Sequence, residues 1–486
     1  MTVARLDRTA LVVVAAVTAL LALPFVLSPY FIAQDLPAHI ETAAQIVGLV
    51  RGDDVIAATY RLHALPWPNS LPTFLIAVLL PVVGGLAAGK LVTAAFVIAW
   101  PTSLALLFSR LGRSPWLALL AIPTCFDLSF SFGFTHFVVG KPVMALAFVA
   151  VIDLVTAPSK RRAVAVVAVI AVLFHCHLLL FAATVPLAVI VAVVLGAGVK
   201  DRVIAVVAVV VGALPGAWWI AHQPDVSGTS IFPPVSKRLD RVWQDLGDLH
   251  SGSLDAVPWT IAAIVVVVTI LAALRTPAAW RTRQTLIVVG LVVACGGFTL
   301  LGPVRTPEAS IIAERFTSLT IAFFVGLAPV VVGPRLRALL VVTGVVCAGL
   351  MAGDATYRWR GFSREHMGDF DDVLAAIPPG SRVATQFVRP LTSWGRHNDL
   401  WHWPKLVSLR GSHTDDTFAL RDTCVLGVRP GVVPMAHPAL TSTALSSWDH
   451  LLVQGSSPRI DATLRALPLT PVISTGAWRL FRIVGR

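Results

Sequence analysis

The stretch FIAQDLPAHIETAAQIVGLVRGDD, residues 31 to 54, directly follows a long apolar run that begins near residue 9. That run is long enough for one membrane-spanning helix, which needs about 20 apolar residues. From Ala38 to Val50 the apolar residues recur close to helical spacing, which predicts an amphipathic helix lying on the membrane surface. A span followed by such a helix predicts the start of a polytopic membrane fold.

Three ionisable residues stand in the first part of this stretch, residues 31 to 41, namely Asp35, His39 and Glu41. In one interpretation Asp35 caps a helix that starts near Pro37, and Glu41 is a solvated charge in its first turn. In the other, an ionised carboxylate at the lipid boundary acts as a base or metal ligand on a lipid-borne substrate, with His39 one turn away. Both interpretations are open at this stage.

Composition supports a membrane protein. The chain has 486 residues, of which 56% are hydrophobic and 13% charged, and its mean hydropathy is +0.80. A soluble domain cannot bury so much apolar surface. The formal charge of +12 comes from short basic clusters between apolar runs, so it indicates membrane orientation and not nucleic-acid binding. The five cysteines show no metal-binding spacing.

The hydropathy pattern predicts about eleven spans. They lie near residues 9–29, 91–109, 115–132, 138–156, 163–180, 181–198, 203–221, 258–274, 284–302, 316–333 and 338–353. A further run at 70–89 is interrupted by Pro72, Pro81 and the pair Gly84-Gly85. We interpret it as a half-inserted or interfacial segment.

The basic residues set the predicted topology, because Lys and Arg collect in cytoplasmic connections. If residues 70–89 do not cross, every basic connection falls on one side. These connections contain Arg110 and Arg113; Lys160, Arg161 and Arg162; Lys200 and Arg202; Arg275, Arg281 and Arg283; and Arg335 and Arg337. The pattern predicts a multi-pass protein of the plasma membrane with a cytoplasmic N-terminus and an extracytoplasmic C-terminal part.

From about residue 354 the composition becomes that of an α/β domain. The segment FDDVLAAIPPGSRVATQF predicts a helix, a turn and a strand, and WDHLLVQG, TPVISTG and AWRLFRIVG predict three more strands. We therefore predict a transmembrane domain at 1–353, with a long first outer loop at 30–89, and an extracytoplasmic α/β domain at 354–486.

A second outer segment, TCFDLSFSFGFTHFVVGKP, carries Asp127 and His136. A carboxylate at the end of a span is costly and faces either a cavity or a partner. Asp127 and His136 are therefore candidates for binding substrate. Alternatively, Asp127 pairs with Lys141 or caps a kink. In VLFHCHLLLF, His175 and His177 are two residues apart and cannot share one helix face, so we interpret them as buried, hydrogen-bonded histidines.

Two further segments hold candidate binding groups. In GPVRTPEASIIAERFTSL, Arg305 and Arg315 suit the oxygens of a phosphate, whereas a Glu314–Arg315 surface pair or contacts with lipid head groups are the alternatives. In SWGRHNDLWHWPKL, clustered tryptophans either anchor the domain at the bilayer interface or stack on sugars.

With these features together, the chain resembles the C-type glycosyltransferase superfamily (GT-C fold), whose members are membrane enzymes that use polyprenyl-phosphate sugars. QDLPAH stands where such enzymes carry a first acidic motif, FDLSFSFGFTHFVVGKP where a second acid is expected, and GPVRTPE…ERF where a basic residue meets the lipid phosphate. The motif departs from the family at Leu36, which replaces a second acid.

The resemblance implies a glycosyltransferase that moves a sugar from a polyprenyl-phosphate donor to a glycan, lipid or protein acceptor among membrane lipids at the extracytoplasmic face. It implies that Asp35 acts as the base or helps to hold a divalent metal ion (Mg²⁺ or Mn²⁺), and that Arg305 or Arg315 steadies the phosphate. His39, Glu41, Asp127 and His136 are the other implied substrate-binding residues. The alternatives are a transporter or flippase of a lipid-linked glycan and a catalytically silent assembly partner.

Overall fold

The computed structural model describes most of the chain. The described residues are 7–222, 228–247, 254, 256–275, 280–306, 309–329, 332–395, 397–415, 417–420, 424–429, 432 and 437–484. Two compact units are present. We call Met1–Leu23, Thr93–Phe130 and His136–Asp354 the helical unit, and Pro24–Val92, Ser131–Thr135 and Ala355–Arg486 the mixed unit.

Eight helices within the described residues are long and apolar enough to cross a membrane. They are Arg8–Leu27, Gly85–Arg110, Thr135–Thr156, Leu178–Leu195, Val199–Ala221, Ala256–Ala273, Arg283–Leu301 and Pro334–His366. The other three predicted spans correspond to the shorter helices Pro115–Cys125, Lys160–Cys176 and Phe316–Val325. The count of about eleven spans therefore stays a prediction.

The interrupted run at 70–89 divides at Gly84, which adopts a left-handed φ of 83°. Before Gly84 lies the 13-residue helix Leu71–Val83, and after it the helix Gly85–Arg110 begins. Thirteen residues at 1.5 Å each extend only about 20 Å, which is shorter than the hydrocarbon core of a bilayer. The short helix therefore has the dimensions expected of a segment that does not cross.

The described residues of the mixed unit form seven strands. They are β1 (Tyr60–Leu62), β2 (Arg382–Phe387), β3 (His413–Thr414), β4 (Leu426–Val428), β5 (His450–Gln454), β6 (Leu469–Thr475) and β7 (Trp478–Ile483). Five strands form one sheet in the order β3-β2-β5-β7-β6, in which β2 is parallel to β3 and β5 and the remaining pairs are antiparallel. The four strands expected from sequence are confirmed as β2, β5, β6 and β7.

The first outer loop is also part of the mixed unit. β1 pairs with β4, so Tyr60 lies opposite Val428. Helix Leu36–Arg51 packs against helix Leu71–Val83 and the 3₁₀ helix Trp403–Arg410. Most of its residues up to Ile46 are buried. Protein covers Ile40 and Ala43 of the predicted apolar stripe, whereas Val50 at its end is exposed, so the position of this helix on a membrane surface stays a prediction.

Candidate active site

Asp35 occupies the N-cap position of helix Leu36–Arg51, but its side chain accepts no hydrogen bond from the helix backbone. An N-cap side chain bonds the N–H of the second or third helical residue. Here the second residue is Pro37, which has no N–H, and the third, Ala38, donates to the Asp35 carbonyl oxygen at 3.1 Å. Asp35 therefore occupies the predicted N-cap position, but the prediction that its carboxylate caps the helix is wrong.

The Asp35 carboxylate instead faces two polar side chains of the mixed unit. Its Oδ1 lies 3.3 Å from Nε2 of His402 and accepts a hydrogen bond from Nε2 of Gln34, also at 3.3 Å. Among the described residues nothing donates to its Oδ2. The Asp35 side chain is 13% exposed and that of His402 is 5% exposed. One carboxylate oxygen is thus held, and the other is available.

The loop Ser131–Thr135 lies directly against Asp35. The Asp35 N–H donates to the carbonyl of Phe132 at 2.9 Å. Gly133 has a φ of 73°, and a Cβ placed on it would stand 2.7 Å from the Asp35 nitrogen. Only glycine fits here, because the left-handed conformation and the close approach both exclude a side chain. The rings of Phe132 and His397 stack at 3.7 Å beside this contact.

Glu41 is fully buried two turns along the helix, so its interpretation as a solvated charge is wrong. Its Oε1 accepts from the hydroxyl of Thr414 at 3.2 Å, and its Oε2 accepts from that of Thr417 at 3.4 Å. The ammonium of Lys405 lies 3.9 Å from Oε2. These groups compensate the buried charge. Burial and the nearby Glu41 charge raise the pKa of the Tyr60 phenol.

His39 is a buried packing residue of the same helix. Its ring meets that of Phe418 edge to face at 5.5 Å. His39 and Glu41 thus share with Asp35 the helix Leu36–Arg51, but at these positions they contact segments from the C-terminal part of the chain. A direct role in binding substrate stays a prediction for both residues.

Asp127 belongs to the helical unit and has partners for both oxygens. Oδ1 accepts the N–H of Phe130 at 3.0 Å. Oδ2 accepts from Lys141 at 2.9 Å and from Ser318 at 2.5 Å. Asp127 and Lys141 are both buried. The alternative of pairing and local capping therefore describes what this carboxylate does, and its role in binding substrate remains only a prediction.

The remaining sequence candidates also lie in the helical unit. His136 is half-buried near the start of helix Thr135–Thr156. Arg305 is exposed, and its backbone forms bridges with Ile231 and Ser310. None of these observations assigns a ligand to either residue.

Arg315 is engaged with its own loop and with a histidine. Its guanidinium donates to the carbonyls of Ile311 at 2.7 Å and Ser310 at 3.1 Å, and it lies 3.3 Å from Nε2 of His177. His177 is buried and accepts the N–H of Leu180, which confirms the interpretation of a buried, hydrogen-bonded histidine.

Glu314 pairs across 3.7 Å with Arg241 instead of Arg315, and its burial raises its pKa. The expected Glu314–Arg315 surface pair is therefore wrong. The reason is that Glu314 is buried and does not lie on the surface.

The aromatic segment near residue 400 is largely internal. Trp403 is fully buried and lies 5.2 Å from the ring of Tyr30, whereas Trp401 is 39% exposed. Anchoring at a bilayer interface is therefore wrong for Trp403. Sequence analysis did not identify His402 as a site residue. The dense His, Asp and Trp content of this segment was a usable signal, but its proximity to Asp35 depends on tertiary structure.

The expected divalent metal ion can be tested against the available donors. Within the described residues, no group of three or more His, Cys, Asp or Glu side chains is placed to hold a metal. Asp35 and His402 supply one carboxylate and one imidazole, which fall short of a complete ligand set for Mg²⁺ or Mn²⁺. These two residues do not form a complete metal site by themselves, so a divalent metal ion at Asp35 stays a prediction.

Comparison with solved structures defines the class of fold, which is GT-C. The chain is similar to ArnT from Cupriavidus metallidurans bound to undecaprenyl phosphate, with a TM-score of 0.55, 15% identity and 97% of each chain covered. It matches the apo state of that protein with a TM-score of 0.53, 13% identity and 97% coverage of each chain.

A third match is the arabinofuranosyltransferase AftD from Mycobacteria, with a TM-score of 0.51 and 15% identity over 100% of this chain and 42% of AftD. No protein-family model and no curated protein sequence matches the chain. The fold and the eight apolar helices together make this a multi-pass membrane protein.

Proposed function

We propose that the protein is a membrane glycosyltransferase that moves a sugar from a polyprenyl-phosphate donor to an acceptor at the extracytoplasmic face. The observation that carries the proposal is the half-occupied carboxylate of Asp35. Its Oδ1 is held by His402 and Gln34, and its Oδ2 accepts nothing from the described residues. The GT-C fold supports it, since ArnT with this fold has been solved with undecaprenyl phosphate.

The proposed reaction is an inverting displacement. The acceptor hydroxyl oxygen forms a bond to C1 of the sugar as the bond from C1 to the phosphate oxygen breaks. The electron pair leaves with the polyprenyl phosphate, and Oδ2 of Asp35 accepts the proton of the acceptor hydroxyl. Phosphate is already a good leaving group, so positioning and charge stabilisation carry most of the catalytic demand.

Phosphate binding by Arg305 or Arg315 remains a separate proposal. Both residues carry the planar donors that suit phosphate. Arg315 already donates to two backbone carbonyls, which fixes its guanidinium but also uses part of its donor capacity. Arg305 has an exposed side chain. The extracytoplasmic location of the reaction and the cytoplasmic N-terminus rest on the sequence pattern, whereas a glycan, lipid or protein acceptor rests on the family resemblance.

The test uses the full chain in liposomes with a panel of undecaprenyl-phosphate-linked pentoses and hexoses and a membrane extract as acceptor. Transfer is measured as release of undecaprenyl phosphate. We expect Asp35→Asn to slow release at least about 100-fold, because the amide cannot accept the proton. Asp53→Asn is the matched control, since Asp53 is a true cap that accepts the N–H groups of Val55 and Ile56 and asparagine caps equally well.

Full activity of Asp35→Asn would remove Asp35 from the mechanism. Absence of release by the wild-type chain across the panel would instead favour a silent assembly partner. A lipid-glycan flippase is a second candidate, favoured by the buried Asp127–Lys141 pair, because ionisable groups in membrane helices often mark transport pathways. Its signature would be movement of labelled lipid between leaflets without release of undecaprenyl phosphate.

A further inference from the structure

We infer that His402 is a positioning residue for Asp35, an inference that rests on the proposed function. The segment Asn398–Lys405, which we call the clamp segment, contacts the Asp35 region at more than one point. The geometry indicates that the clamp segment holds one oxygen of Asp35 and thereby aims the other at the acceptor hydroxyl.

The His402 and Asp35 side chains contact each other directly. Nε2 of His402 lies 3.3 Å from Oδ1 of Asp35, and both side chains are largely buried. An ionised carboxylate only accepts hydrogen bonds, so the hydrogen between the two groups belongs to His402 Nε2. This holds for the neutral tautomer protonated at Nε2 and for the imidazolium alike. His402 therefore acts on Asp35 as a donor.

Further contacts of the clamp segment fix the position of His402, the donor. Gln34 bridges the two segments, because its Nε2 donates to Asp35 Oδ1 and its Oε1 accepts the N–H of Asn398 at 3.2 Å. Lys405, three residues after His402, lies 3.9 Å from the buried carboxylate of Glu41. The clamp segment is thus attached near Asp35 and again about two turns along the same helix.

The contact with His402 replaces the hydrogen bonds that an N-cap carboxylate usually accepts from its own helix. A carboxylate at an N-cap normally turns to the helix N–H groups. Pro37 removes one of these groups, and the Ala38 N–H is used by a backbone carbonyl. The helix therefore leaves the Asp35 side chain without a partner, and His402 and Gln34 supply its orientation.

The experiment compares two substitutions of His402 in the full chain. His402→Gln keeps an amide nitrogen near the position of Nε2, so it retains a donor to Oδ1. His402→Phe removes the donor but keeps a ring beside Phe418, which the imidazole meets at 5.3 Å. We expect His402→Phe to lower kcat for release of undecaprenyl phosphate about 100-fold with little change in KM. We expect His402→Gln to restore most of that loss.

If His402 had a merely structural role, kcat would fall by a similar factor in both variants, or KM would rise. The double variant Asp35→Asn with His402→Phe should be no slower than Asp35→Asn alone, because both changes act on one group. If Asp35→Asn is inactive and His402→Phe is fully active, the role of His402 is overturned and the proposed function stands. If Asp35→Asn is fully active, the proposed function itself fails.

A structure of each variant provides a readout that does not need turnover. We expect the Asp35 carboxylate to keep its orientation in His402→Gln and to rotate away in His402→Phe. An unchanged Asp35 side chain in His402→Phe would overturn the inference, because His402 would then not determine where Oδ2 points.

Discussion

Two buried carboxylates, one in each compact unit, differ in how many of their oxygens have hydrogen-bond donors. We call a carboxylate saturated when both of its oxygens have donors. Asp127 in the helical unit has partners for both oxygens, including the ammonium of Lys141 at 2.9 Å. Asp35 in the mixed unit has two donors on Oδ1 and, among the described residues, none on Oδ2. A saturated carboxylate stabilises structure, whereas one with an open lone pair can accept a proton from a substrate.

The difference arises from the local sequence after each acid. The third residue after Asp127 is Phe130, whose N–H donates to the Asp127 carboxylate. At the same spacing after Asp35, the N–H of Ala38 donates to the backbone carbonyl of Asp35 and not to its carboxylate, and Pro37, one residue earlier, has no N–H. The backbone of the first turn after each acid therefore distinguishes the two sites before any distant partner is considered.

The saturated site can be broken by Lys141→Met, which should have the largest effect on stability. Removing the ammonium leaves the buried Asp127 charge uncompensated, so we expect the free energy of unfolding to fall by about 3–5 kcal/mol. Equilibrium unfolding of the purified chain in mixed micelles measures it. The matched control is Lys160→Met, since Lys160 is exposed. Adding Asp127→Asn to Lys141→Met should recover much of the loss, and failure to recover would contradict the pairing.

The substitution Gly133→Ala should displace Asp35 without changing either of the side chains that hold its Oδ1. The new Cβ would stand 2.7 Å from the Asp35 nitrogen, and the residue would keep a φ of 73°. We expect about 1–2 kcal/mol of backbone strain, together with a loss of kcat as the loop shifts. Gly52→Ala carries a comparable φ of 74° with nothing within 4 Å, so it isolates strain from steric contact. Equal kcat values for the two variants would mean that the Ser131–Thr135 loop does not position Asp35.

The smallest expected effect is on the pH dependence of the free energy of unfolding, and it concerns the buried His413 of the mixed unit. Burial, assisted by the charge of Arg382 and opposed by that of Asp53, lowers the pKa of His413. The unfolded chain then binds more protons, so the free energy of unfolding should decrease as the pH falls below about 6.5 and through the lower folded-state pKa. His413→Phe should reduce this dependence when unfolding midpoints at pH 8 and pH 5.5 are compared. An unchanged slope would exclude His413 as its source.

Much of the architecture was accessible from sequence. Apolar length predicted the long helices, and alternation between turn residues predicted β2, β5, β6 and β7. The break at Gly84 and the helix near Asp35 also followed from local signals. The single sequence could not reveal burial of Glu41, because periodicity identifies which face is apolar but not how much polar surface a distant segment will cover.

The candidate site was accessible only in part. Asp35 was identified from its position after the first span, but the motif Asp-Leu-Pro was compatible with side-chain capping. His402 lies more than three hundred residues away in the chain, so no local pattern connects it to Asp35. The same is true of Lys405 and Glu41.

The sequence by itself therefore determined a membrane chain, the strands of a C-terminal sheet and one acid at a helix start. It did so because hydropathy, periodicity and proline chemistry act over a few residues. Only the tertiary structure decided that Asp127 is saturated and that one oxygen of Asp35 has no donor among the residues that the structure describes. Saturation depends on donors that approach from distant segments, and a hydrogen bond requires placement to within a few tenths of an ångström.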